Sequence, residues 1–128
     1  MRIVFYRNSR GKLLAFDWLR ELRERDARRF VHVAAALEEL GACGRALRPP
    51  LCAHLADGVY ELRSRAPRPC PPLLFFFHGE AAVVLGPVTR ADDPVGMLTL
   101  VRACHHRREF ERDPLGRSHE EVVESEEL

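Results

Sequence analysis

Apolar and polar positions along the chain follow two periods, and the changes between them divide it into elements. In residues 2–6, Ile3 and Phe5 alternate with Arg2, Val4 and Tyr6, the period of two expected of a strand, and the polar run Arg7–Gly11 closes it. From about Lys12 to Arg25 the period is helical, with Leu14, Ala15, Trp18, Leu19 and Leu22 on one side and Arg20, Glu21, Arg23 and Glu24 opposite. Asp26 is placed to cap a second helix over Ala27–Leu40, with Phe30, Val33, Ala34, Leu37 and Leu40 inward, Arg28, Arg29 and His32 outward, and Gly41 ending it. Residues 42–56 keep no period and hold Gly44, Pro49 and Pro50, so they are expected to be a connector.

The stretch from Asp57 to Pro87 is the centre of the pattern. In Asp57-Gly58-Val59-Tyr60-Glu61-Leu62-Arg63, Val59, Glu61 and Arg63 point to one face of a strand and Tyr60 and Leu62 to the other. Four prolines in residues 66–72 exclude central sheet and predict a loop. Residues 73–85 are apolar on both faces and predict two buried strands turning at His78-Gly79-Glu80. After a loop over 86–91, Asp93 and Pro94 open a helix that runs to about Arg112, with Val95, Leu98, Val101 or Arg102, and Cys104 or His105 inward. The order is strand, two helices, three strands, one helix: an α+β fold with a small, mainly antiparallel sheet packed against helices. Residues 1–112 form the domain. Residues 113–128 have the composition of a flexible acidic tail, with room for a short helix near Glu120–Glu127.

Composition changes this picture in three places. At 128 residues and 46% apolar content the chain has one hydrophobic core, and no apolar run reaches the roughly 18 residues of a membrane span. The N-terminus is short and strand-like, unlike a signal peptide, so a cytosolic protein is expected. Cys43, Cys52, Cys70 and Cys104 show no C-x-x-C spacing, which predicts ordinary thiols rather than zinc ligands or disulfides. Five of the 19 acidic residues lie in the last ten positions while all 20 basic ones precede them, giving residues 1–118 a formal +6. All the basic residues but Lys12 are arginines, whose planar donor fork suits phosphate and base stacking.

The segment Glu39-Leu40-Gly41, then His54-Leu55-Ala56-Asp57-Gly58-Val59-Tyr60-Glu61-Leu62-Arg63, the buried hairpin, and Pro94 opening a helix that ends in basic residues resemble the RelE/HigB-type toxins of bacterial type II toxin–antitoxin systems, in their phage Gp49-like branch. The resemblance covers residues 2–112. It implies a RelE-like sheet-and-helix fold, a metal-independent endoribonuclease acting on mRNA, often at the ribosome, and a helix-turn-helix antitoxin as partner, with homodimerisation left open. No cofactor is implied, and the histidines lack metal-ligand spacing.

Cleavage by the 2′-hydroxyl needs cations against the phosphoryl oxygens and a group that moves protons. Arg63 stands at the family's strand arginine and is the candidate phosphate clamp; the alternative is an ion pair with Glu61 or another carboxylate. Arg90 and Arg65 join it on the phosphate, and Tyr60 or His105 is expected to move the proton, with His106 and His78 also available. Arg65, Arg68, Arg107 and Arg108 are expected to hold RNA. The alternative for His105 and His106 is a solvated helix end. Three positions depart from the family pattern. Pro71 and Pro72 fall where an aromatic-Arg pair opens the next strand, Phe75 replaces a tyrosine, and a Lys-Lys pair is reduced to the neighbourhood of Thr89 and Arg90. These departures support a second expectation, a binding module of the same fold that has lost the chemistry and associates with an antitoxin-like regulator, RNA or the ribosome. Gyrase-directed relatives of the fold match these residues less well. A folded-back Glu120–Glu127 segment competing with RNA on the basic face is a further expectation.

Overall fold

The computed structural model describes residues 1–88 and 96–124. Within them β1 (Arg2–Tyr6) leads to α1 (Leu14–Arg25), α2 (Ala27–Cys43) and a 3-10 turn, then β2 (Cys52–Ala56), β3 (Val59–Leu62), β4 (Leu73–His78) and β5 (Ala81–Pro87). The chain continues through α3 (Met97–Arg112) to β6 (Ser118–His119). The architecture is α+β. The six described strands form one sheet in the order β2-β3-β4-β5-β1-β6, antiparallel except where β1 runs parallel to β5.

The sheet divides two cores, because alternate residues of each strand face opposite ways. Phe5, Leu62, Leu73, Phe75 and Val84 meet Leu19, Leu22, Phe30, Leu37 and Leu40 of α1 and α2. Val4, Tyr6, Val59, Phe76 and Val83 face the other way, toward Ala103 and Phe110 of α3. The expected inward stripes of the first two helices are met at Ala15, Leu19, Leu22, Phe30, Val33, Ala34, Leu37 and Leu40, while Trp18 is half-buried and Leu14, also expected inward, is exposed. Asp26 joins the two helices: its carboxylate accepts from the Arg29 amide at 3.2 Å, while its own amide donates to Leu22 O at 2.7 Å.

Several sequence expectations need correction. Gly41 does not end α2, which runs to Cys43; Gly44, at φ +55°, is the cap, and Gly41 lies within the helix, its carbonyl accepting from the Met1 ammonium at 2.7 Å. The connector 42–56 contains β2, which pairs antiparallel with β3 through the turn Asp57-Gly58. Both turn residues have positive φ (51° and 78°), the two-residue hairpin geometry that Asp-Gly favours. The helix expected to open at Asp93 and Pro94, which lie outside the described residues, is described from Met97 with Gly96 as its N-cap, and its inward stripe is displaced: Leu98 and Val101 are 62% and 53% exposed, while Ala103 and Phe110 are buried and Cys104, expected inward, packs against that core. Val95, also expected inward, lies outside the described residues. The segment after Pro114 is not a detached tail over its described length, since Ser118 and His119 pair with Tyr6 and Phe5 and Val123 packs on the α1/α2 core. Residues 120–124 are not helical, and Glu120 pairs with Arg2 at 3.0 Å on the β6 edge, across the sheet from β3. That part of the tail does not cover Arg63.

Among the described residues no helix is long and apolar enough to cross a membrane. The four cysteines are free thiols, Cys52 buried and Cys43 exposed. Burial pushes the Cys52 and Cys70 thiols above their ordinary range.

Candidate nucleic-acid interface

The β2–β3 turn is tied to α3 by one arginine. Arg107 lies with its guanidinium 5.6 Å from the Phe76 ring centre, donates from Nη1 to Asp57 O, and holds Glu111 through Nε at 3.2 Å. Gly58 suits this turn by its backbone, and a larger residue would also displace the end of the Arg107 side chain. Its φ is +78°, and a Cβ would stand 2.1 Å from Arg107 Nη1. The Gly58 amide donates to His54 Nε2 at 3.2 Å, which secures the turn from the other strand.

Two residues along β3, on the face of Val59, Glu61 is the buried charged residue of the described chain, at 4% exposure. A carboxylate in that position requires a cation. Arg63 supplies it, its Nε donating to Glu61 Oε1 at 2.6 Å and its Nη2 closing on the same oxygen. The Arg63 side chain is 54% exposed, so one edge of the guanidinium faces solvent while the other is held by Glu61. The ion pair with Glu61, one of the two readings of Arg63, is formed.

The other site residues lie apart. Tyr60 is on the opposite face from Glu61, stacked on Phe75 at 5.4 Å and edge-on to Phe77 and His54 at 5.3 and 5.0 Å. Its phenol belongs to an aromatic cluster beneath the α1/α2 layer, with the sheet between it and Arg63. Arg65 faces Glu39 of α2 at 3.6 Å, an exposed pair. The backbone carbonyls of Pro67 and Arg68 accept from Arg29 at 2.9 and 3.2 Å, while the Arg68 side chain is exposed at the loop rim. Arg108 is exposed on α3, and Arg107 is engaged by the turn as described. His78 packs edge-on against Phe110 at 5.2 Å. Arg90 lies outside the described residues. Arg63, Tyr60 and His105 therefore do not converge on one point.

What does converge is a group of which sequence reasoning named the two histidines and missed Tyr6 and Glu109. The fully buried Tyr6 donates from its hydroxyl to Glu109 Oε1 at 2.7 Å, and its ring stacks on His106 at 4.9 Å. Glu109 Oε2 lies 3.6 Å from His105 Nε2. The Tyr6 hydrogen bond holds the Glu109 carboxyl below its ordinary range. Burial, then the bond to Glu109, drives the Tyr6 phenol far above its own. Burial also lowers His106, which keeps that imidazole neutral more readily than a free histidine. Arg117 approaches the group and anchors to Asn8 O at 3.1 Å, its Nε buried without a hydrogen bond among the described residues. A signal was present in the sequence: a tyrosine following the apolar run Ile3-Val4-Phe5 must find a partner for its hydroxyl when buried.

Among the described residues no group of three or more His, Cys, Asp and Glu side chains is placed to hold a metal ion. Compared with models of protein families and with curated proteins, the chain matches none.

Proposed function

We propose that this chain is the toxin-side member of a type II toxin–antitoxin pair, of RelE/HigB type, and that it acts by binding, with single-stranded RNA and a helix-turn-helix antitoxin as its partners. The observation that carries the choice of binding over cleavage is Arg63 closed on the buried Glu61. A guanidinium already neutralised by a carboxylate contributes little to a phosphoryl group gaining charge, and neither Tyr60 nor His105 stands beside it. The exposed Arg68 and the solvent-facing edge of Arg63 still leave positive charge at the loop after β3, which suits electrostatic binding to a phosphate backbone.

A second reading, cleavage through attack of the 2′-hydroxyl, has one observation in its favour: the Tyr6, His106, Glu109 and His105 group on α3 offers acid–base chemistry near neutral pH. One experiment separates the two. The chain is incubated with labelled single-stranded RNA over a range of salt, anisotropy reporting binding and gel electrophoresis reporting cleavage. Binding that weakens as salt rises, with RNA left intact, supports the first reading. Cleavage abolished in Glu109→Gln supports the second, and the absence of both sinks the proposal.

A further inference from the structure

The corner between α1 and α2 faces the proline-bearing loop across a cleft of about 340 Å3. Trp18, Leu22 and Arg25 line it from α1, Arg29 from α2, and Pro69 and Pro71 from the loop. The walls are fixed. Leu22 is buried in the α1/α2 core, and Trp18 packs on that core while remaining only partly buried. Arg29 holds the loop by its two bonds to Pro67 O and Arg68 O and closes on Asp26, which also lines the cleft. The Asp26 carboxyl is kept below its ordinary range by the Arg29 amide and guanidinium, so these two charges answer each other within the wall. Arg25 differs: it is exposed and makes no hydrogen bond or ion pair with the described residues beyond a weaker pull on Asp26. The cleft thus offers a part-open indole and an uncommitted guanidinium between rigid proline walls.

The geometry points to a subsite for one nucleotide of single-stranded RNA in this cleft, the base stacked on Trp18 and the adjacent phosphate on Arg25. The inference rests on the RNA-binding reading above and adds where, and through which chemistry, the strand is held. An aromatic face accepts any base, and a nearby arginine supplies the phosphate contact, the combination by which single strands are bound without sequence preference. Its volume is within the range of small-ligand sites, at the lower end of roughly 300–1,000 Å3. A duplex cannot use the site, because its bases stay paired and stacked. The exposed side chain of Arg68 stands on the loop whose prolines form the far wall, so a strand leaving the cleft meets further positive charge.

Trp18 is the chain's one tryptophan, which makes its emission a reporter of this cleft. The full chain is titrated with a labelled single-stranded oligouridine at low salt, label anisotropy reporting any binding and tryptophan emission reporting the cleft. Quenching should follow anisotropy. Arg25→Ala, an exposed change, should keep the unbound emission, weaken binding several-fold and reduce the slope of log affinity against log salt by about one. Anisotropy that rises while emission is unmoved, with Arg25→Ala binding like the parent chain, places RNA elsewhere and overturns the subsite while leaving RNA binding intact. No anisotropy change removes both. Equal quenching by polyglutamate means that the cleft takes acidic peptide, which also overturns it.

Discussion

The two faces of the sheet are built by different means. Beneath α1 and α2 the buried residues are apolar throughout, from Phe5 and Phe75 to Leu19, Phe30 and Leu40, and the helices are held by area removed from water. Beneath α3 the helix gives only Ala103 and Phe110 to the buried core. The rest of its inner side is Cys104 against that core, His106 on Tyr6, Glu109 on the Tyr6 hydroxyl, and Arg107 on the Asp57-Gly58 turn. Area burial is indifferent to direction and to protonation; hydrogen bonds to named partners are neither. The first face therefore sets the stability of the domain, and the second sets where α3 lies and how that depends on conditions.

The largest effect should come from the first face. Phe75→Ala removes a fully buried ring and should lower the unfolding free energy by about 3–5 kcal/mol in a urea titration. A loss no larger than that of Tyr6→Phe would break the comparison. Next is Gly58→Ala, where a left-handed backbone carrying a Cβ costs about 1–2 kcal/mol and the clash with Arg107 adds to it. Adding Arg107→Ala should relieve the clash and leave the backbone part, a separation that a double-mutant cycle measures. Tyr6→Phe, which keeps the ring and deletes the bond to Glu109, should cost about 1.5 kcal/mol. Its near-ultraviolet circular dichroism should change at the α3 face while the α1/α2 signal from Trp18 persists.

The smallest effect is a pH dependence. His106 is lowered from 6.5 in the folded chain, first by burial and further by His105 and Arg102, with Glu109 opposing. The unfolded chain then takes up the proton first as the medium is acidified, so this contribution is complete above pH 6.5 and is lost as pH falls through the lower folded value. Glu109 acts in the same direction further down, below 4.5. Thermal melts between pH 7 and 5 should show a decline that His106→Gln flattens and Phe75→Ala does not.

Much of the architecture was legible because it rests on period. The strand 2–6, the two helical stripes and the apolar hairpin 73–85 follow from residues that are buried on a regular repeat. β2 escaped because Cys52-Ala53-His54-Leu55-Ala56 is a half-exposed edge strand with small side chains and no clean alternation. The Asp57-Gly58 pair was nonetheless a hairpin signal on its own. The phase of α3 was unreadable for a related reason: a helix docked by His106, Arg107 and Glu109 carries polar residues inward and leaves Met97 at 77% exposure. The candidate site followed the same division. Alternation put Glu61 and Arg63 on one face and Tyr60 on the other, so their separation was available from the sequence. That Arg63 is held by Glu61, and that Tyr6 meets Glu109 from more than a hundred positions away, depends on tertiary packing that no local pattern carries.

The place of β1 between β5 and β6 has a consequence for how the molecule forms. Strands β2 to β5 pair each with its successor, so these four of the six described strands can assemble from neighbouring sequence as a meander. β1 cannot: its partner Ala81 lies roughly eighty residues beyond Arg2, a long loop to close before any pairing rewards it. By connectivity the sheet is thus two pieces, a strand with its helical hairpin and a four-stranded meander. The slow event in folding should be their mutual docking, with the last strand added to the outer edge of the first only once that seam has closed.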